Sequence, residues 1–308
     1  MLTSEQLDNI VAKFKNITTQ GKVADYIPEL AVVNPAYLGA AVVNPDCSIA
    51  KAGDSGVYFA IESISKTVVL ALALMDNGEA EVFKHMHKEP SGDPFNSIKK
   101  LETQPDHLPR NPYINAGAIM TTSLIKGDNP DEKFQRILEF MKKISEDNTL
   151  VLDTHTYLSE KSTGDTNRGL AYYMKGQGVL GHAVVEDVLD VYFRQCSIMV
   201  TVVSLAKIAR FFAAGGILTN GERVIPEKYA KIVTGLIATC GMYDQSGEFL
   251  DDVGMPGKSG VGGGIICPVP GKNTGVAVFG PALDAEGNSI AGIEVLKELS
   301  TTLNLNMF

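Results

Sequence analysis

What most constrains this 308-residue chain is that its strand signals lie at its two ends. Residues 37–43 are small and β-branched, Asn44-Pro45-Asp46 is turn chemistry, and residues 47–52 return, so the stretch reads as a hairpin. A third short strand, residues 57–61, follows the breaker Gly53-Asp54-Ser55-Gly56. Strand character then vanishes until residues 260–268 and 274–280, which are separated by a polar turn. Extended segments at both ends, with helical periodicity between them, predict one antiparallel sheet assembled from N- and C-terminal parts, with helices on its faces. The expected fold class is α+β. Residues 1–76 and 197–308 are expected to form a discontinuous sheet subdomain, and residues 77–196 a mainly helical lobe.

Leu7, Ile10, Val11, Phe14 and Ile17 fall at helical spacing behind a capping box, Thr3-x-x-Gln6. Residues 63–75, 201–214 and 288–303 read as further helices. A formal net charge of -9 sets the chain against nucleic acid and anionic lipid, whose binding rests on clustered Lys and Arg. The four cysteines lie far apart with no C-x-x-C pair, so neither a disulfide framework nor a zinc ribbon is indicated. The first residues are acidic where a signal peptide needs a basic then apolar stretch, and no run approaches the roughly 20 apolar residues of a membrane span. A cytoplasmic protein is expected.

Several motifs have a bland reading. Gly176-Gln-Gly178-Val-Leu-Gly181 has the spacing of a dinucleotide fingerprint, but it follows a helical segment instead of a strand and reads as a helix-to-helix turn. His85-x-His87 lacks a partner carboxylate–histidine spacing and reads as surface, so no metal is expected.

The S-x-x-K pattern sets a serine and a lysine one helical turn apart, where the lysine can take the hydroxyl proton if burial lowers its pKa. It occurs five times, beginning at Ser48, Ser63, Ser97, Ser123 and Ser204. Ser48 lies in a strand pattern, Ser97 in a polar surface turn, and Ser123 and Ser204 in helices where a hydroxyl can bond back to a carbonyl one turn earlier. Ser63 alone stands where a strand turns into a buried-looking helix, with the helix dipole favouring developing negative charge. About two hundred residues later Lys258-Ser259-Gly260 opens a strand, and the pairing of S-x-x-K with K-[ST]-G is more informative than either motif. Between them lie polar clusters: Glu89-Pro-Ser-Gly92, residues 111–118 around Asn115, Glu160-x6-Asn167 with a loop expected through Gly164-Asp165, and Gly241-Met-Tyr243-Asp244.

Together these segments resemble the serine-dependent glutaminases, amidohydrolases built on the β-lactamase and penicillin-binding-protein fold. The likeness runs from residues 21–28 through Asn115-Ala-Gly-Ala-Ile119 and residues 240–244 to Lys258-Ser-Gly-Val-Gly-Gly-Gly264. It implies Ser63 as nucleophile with Lys66 as its base, and the backbone N–H groups of Ser63 and Val261 as the oxyanion hole. It also implies that Tyr26, Asn115, Glu160, Asn167, Tyr192, Tyr243 and Val261 contact the bound amino acid. Tyr243 is then the residue that relays a proton to the leaving ammonia, with its high phenol pKa lowered by Lys66 and Lys258. The implied partner is L-glutamine, without metal or organic cofactor, and the implied assembly is a homodimer or homotetramer. A β-lactamase or DD-peptidase shares the paired motifs, and a catalytically silent amino-acid sensor would keep the same pocket.

Overall fold

The computed structural model describes all 308 residues. Its strands, in chain order, are β1 (Gly39–Val43), β2 (Ile49–Gly53), β3 (Phe59–Ala60), β4 (Val151–Leu152), β5 (Ile198–Val200), β6 (Lys258–Ser259), β7 (Gly264–Val269) and β8 (Thr274–Phe279). The N-terminal hairpin joins the C-terminal one through β1 and β8, with Val42 opposite both Ala50 and Val276, in an antiparallel sheet of order β2-β1-β8-β7-β6. This is the sheet from both chain ends that the sequence predicted.

Successive strand residues point to opposite faces, and the two sets enter different cores. Ala41, Val43, Ile266, Ala277 and Phe279 enter one; Ala40, Val42, Ile265, Cys267, Val276 and Val278 enter the other. The second is closed by the terminal helices: Ser4–Phe14 contributes Leu7, Ile10 and Val11, and Ile290–Leu303 contributes Val295, Leu296 and Leu299. The first helix starts at the expected capping box, with Gln6 N–H donating to Thr3 Oγ1 at 3.3 Å and Thr3 N–H to Gln6 Oε1 at 2.9 Å. On the first face the helix Val202–Ala213 lies across β7, β8 and β1, and the helices between residues 77 and 196 continue the same core through Phe134, Met141, Leu189 and Phe193.

Three expectations need correction. The strand at residues 57–61 shortens to β3 and leaves the main sheet, pairing with β5 in a second, three-stranded sheet of order β3-β5-β4. Phe59 on β3 stacks on Phe279 of β8 with ring centroids 4.0 Å apart, so the two sheets meet through side chains and not through backbone hydrogen bonds. The segment between Ala214 and residue 258, for which no helix was read, carries the helices Glu227–Cys240 and Ser246–Val253. Finally, Lys258-Ser259 forms β6 of a hairpin, and residues 260–263 are its turn, closed by Gly260 N–H to Gly264 O at 3.0 Å. No helix is long and apolar enough to cross a membrane.

Candidate active site

β3 ends in a 3-10 turn, Glu62–Ile64, that leads directly into the helix Ser65–Asn77. From Val68 to Leu74 that helix is apolar and buried on every side, so its first turn is held in the interior. Ser63 is buried, and Lys66 retains only 1% exposure. An ammonium cannot sit there without acceptors, and Lys66 Nζ donates to Asn115 Oδ1 at 2.7 Å and to Tyr113 O at 3.1 Å. Burial pushes its pKa down to about 8, against the opposing pull of Cys196, Glu62 and Glu160.

Asn115 opens the helix Asn115–Ser123, and its N–H donates to Phe95 O at 2.8 Å. The approach is set by Asn111, whose Oδ1 accepts from the N–H groups of Tyr113 (3.0 Å) and Ile114 (3.1 Å). Gly117 permits it, since a Cβ there would stand 1.9 Å from Asn111 O. Asn115 Nδ2 then donates to Asn167 Oδ1 at 2.9 Å. The expected loop between Glu160 and Asn167 is instead a junction of two helices, Thr154–Thr163 and Asp165–Gly176, that meet at Gly164. Gly164 suits the junction because a Cβ would fall 2.4 Å from Phe193 Cζ. The corner aims Glu160 and Asn167 into one cavity.

Tyr243 follows the helix Glu227–Cys240 in a short turn with φ 56. Its ring leans on Phe95 with centroids 4.7 Å apart, and Lys258 Nζ lies 4.9 Å from its centre. Its hydroxyl is buried and directed at Ser63 and Ser259, without closing a hydrogen bond to either. The expected lowering of its pKa does not occur: burial pushes the phenol up and outweighs those hydroxyls. Lys258 is fully buried, and burial together with Lys66 drives its own pKa well down, so it contributes little positive charge. Tyr243 is therefore a phenol that can donate a proton.

Val261 sits in the β6–β7 turn, which the flanking glycines press onto the serine's own segment. A Cβ at Gly262 would stand 2.4 Å from Ala60 O, and one at Gly260 would stand 2.8 Å from Ile61 O and 3.3 Å from Ser63 N. Tyr26, Ser63, Asn115, Glu160, Asn167, Tyr192 and Val261 all line one cavity of about 110 Å³, and Tyr243 borders the small void beside it. The cavity is well below the roughly 300–1,000 Å³ of drug-sized sites, a scale that suits a free amino acid.

The other S-x-x-K serines are engaged elsewhere. Ser48 Oγ donates to Asp46 at 2.6 Å, Ser97 accepts from Lys99 N–H at 3.2 Å, and Ser123 bonds back to Met120 O at 2.7 Å. Ser204 departs from the expected back-bonding and donates to Asp147 Oδ2 at 2.6 Å. His85 and His87 pair with different acids, Glu81 and Asp106, and the Gly176–Gly181 stretch is a turn between helices.

Comparison with known proteins identifies the family and the fold. The glutaminase family model matches residues 21–308. The chain belongs to the glutaminase family. It is 49% identical to the glutaminase of Clostridium tetani over the whole of both chains, and 47% identical to glutaminase 2 of Clostridium perfringens over 98% of this chain and 99% of that one. Among solved structures, a Bacillus glutaminase in 4.3 M NaCl matches with a TM-score of 0.91 at 35% identity, covering 99% of each chain. A Bacillus subtilis glutaminase in covalent complex with 5-oxo-L-norleucine, formed by reaction with 6-diazo-5-oxo-L-norleucine, matches with a TM-score of 0.89 at 34% identity, again over 99% of each chain. The fold is that of these glutaminases.

Several lining residues escaped the sequence reading, Glu62 and Phe95 foremost. Glu62 lines the cavity beside Ser63, and its signal was present: a lone acid between the strand residues Phe59 to Ile61 and the Ser63-x-x-Lys66 motif. Phe95 walls both the cavity and the void beside Tyr243. It lies in a loop of Pro, Asn and Ser, where no periodicity marks it. The polar Glu89–Gly92 cluster braces rather than lines the site, since Glu89 O accepts from Asn111 Nδ2 at 2.9 Å.

Proposed function

We propose that this chain hydrolyses the side-chain amide of L-glutamine to L-glutamate and ammonia through a γ-glutamyl ester on Ser63. The observation that carries the reading is a fully buried Lys66, held down to about 8 one helical turn from a serine that opens on an amino-acid-sized cavity. Neutral Lys66 takes the Ser63 proton as Oγ bonds to the amide carbon. The N–H groups of Ser63 and Val261 receive the negative charge that develops on oxygen, a role the tight glycine turn supports. Tyr243, still a phenol, gives its proton to the leaving nitrogen as the C–N bond breaks, and Lys66 restores it. Water then repeats the sequence on the ester and releases glutamate.

Substrate recognition follows from charge. Glu160 is the anion for the α-ammonium, while Asn115, Asn167, Tyr26 and Tyr192 supply neutral donors for the carboxylate. The assay is ammonia release from L-glutamine by wild type and Ser63→Ala. Loss of turnover in a folded Ser63→Ala variant is expected; an active variant would move the nucleophile elsewhere.

A further inference from the structure

Glu62 stands next to the nucleophile, yet no step above uses it. It is 3% exposed, its backbone is held at φ 50, and its side chain packs on Gly260 and Gly262 of the β6–β7 turn. Its Oε1 is buried without a hydrogen-bond partner, and its carboxyl lines the same cavity as Glu160. A left-handed backbone and an unpartnered buried carboxyl oxygen are each costly to hold, and such costs gather where a ligand is handled. The groups facing Glu62 are Glu160, Lys66, Tyr26, Tyr192, Cys196 and Tyr243. Lys66 is the single cation among them, and it is already held by Asn115 and Tyr113.

We propose that Glu62 is the positioning partner of Glu160: the two carboxyls hold one proton between them in the free protein, and the substrate's α-ammonium displaces that proton when it docks. The inference rests on the glutaminase reading, which supplies an amino-acid substrate.

Two carboxyls within hydrogen-bond reach in a buried site cannot both ionise, and they titrate as a pair. Burial first, then the charge and hydrogen bond of Glu160, push Glu62 well above the usual carboxylate range. Burial also raises Glu160, while the hydrogen bond from Glu62 and the charge of Lys66 hold it lower. The pair therefore keeps one proton between its two carboxyls, which keeps Glu160 oriented while the site is empty. An arriving ammonium adds a positive charge and its own N–H donors. The shared O–H bond then breaks, its proton leaves to buffer, and the ammonium bridges two carboxylates. Binding that releases one proton tightens by up to about tenfold per pH unit until the pair is fully ionised.

The test is calorimetric titration of the Ser63→Ala protein at neutral pH in two buffers of different ionisation enthalpy, with L-glutamine and with 5-amino-5-oxopentanoate, which lacks the amine. The expected result is release of about one proton with glutamine and none with the desamino compound. Adding Glu62→Gln should abolish the release, because the introduced amide donates to Glu160 and leaves it ionised throughout. Glu160→Gln, the second variant, should abolish it from the other side. Release that persists in both, as it would if Lys66 were the source, overturns the proposal, as does equal release with the desamino compound or none with glutamine. Wild-type ammonia release separates the two levels: without it the glutaminase reading fails, whereas turnover without proton release sinks only the acid pair.

Discussion

Asn115→Asp changes one atom's chemistry at the hydrogen bond that anchors Lys66, the proposed base. Lys66 Nζ donates to Asn115 Oδ1 at 2.7 Å, and the substitution keeps that acceptor while giving it a full negative charge. Asn167, now bonded to Asn115 Nδ2 at 2.9 Å, can turn its amide to donate to the new carboxylate. With Lys66 at about 8, roughly one side chain in ten is neutral at about pH 7. A carboxylate in contact raises a cation's pKa by about 1–3 units, and each unit removes a further tenfold of the neutral base. Turnover near pH 7 should therefore fall by about 10- to 1,000-fold. The sign is fixed: the base works deprotonated, so activity rises with pH, and the rising limb moves from near 8 to between about 9 and 11. The assay is ammonia release at saturating glutamine across that range. Recovery toward wild-type turnover at high pH would distinguish a shifted base from a misfolded protein. A variant whose limb stays where the wild type's lies would show that the titrating group is not Lys66.

Three further substitutions probe other parts. Tyr243→Phe keeps the ring against Phe95 and removes a hydroxyl that makes no structural hydrogen bond, so kcat should fall by about 100-fold with the melting temperature nearly unchanged; a few-fold loss would leave Tyr243 as a wall. Gly262→Ala places a methyl 2.4 Å from Ala60 O and must push the Val261 turn away from Ser63. Steady-state kinetics and urea unfolding should show kcat/KM down by at least about tenfold with a cost of about 1–3 kcal/mol, and unchanged kinetics would argue against Val261 as an oxyanion donor. Phe279→Ala removes the ring that joins the two sheets and should cost about 3–5 kcal/mol in denaturant unfolding; a cost under about 1 kcal/mol would mean that the sheets do not depend on that stack.

The main sheet was legible because short runs of small and β-branched residues, bounded by turn chemistry, stand at both ends of the chain, and all of their residues are buried once paired. The two-residue strands β3 and β4 are too short to show a period, and β5 is only three residues long. Their sheet exists because the Phe59–Phe279 stack and the helical core bring the segments together. The helix Glu227–Cys240 was overlooked although its apolar residues Ala230, Val233, Leu236 and Ile237 follow helical spacing. At the site, Ser63 and Lys66 stood out through their strand-to-helix position, and the other lining residues entered through the family resemblance. What the sequence could not show was protonation. Tyr243 and Lys258 carry charge-bearing groups, but only their burial in the folded chain determines that both prefer to be neutral. Glu62 and Glu160 likewise stand 98 positions apart and share a cavity only when the helix corner at Gly164 turns Glu160 inward.

The covalent intermediate on Ser63 is the central claim, and mass spectrometry after reaction with 6-diazo-5-oxo-L-norleucine tests it directly. The account predicts one 5-oxo-norleucine adduct per chain, located by peptide mapping on Ser63, matched by loss of ammonia release and absent from Ser63→Ala. An adduct on another residue, or a Ser63→Ala protein that still labels and still releases ammonia, would contradict it.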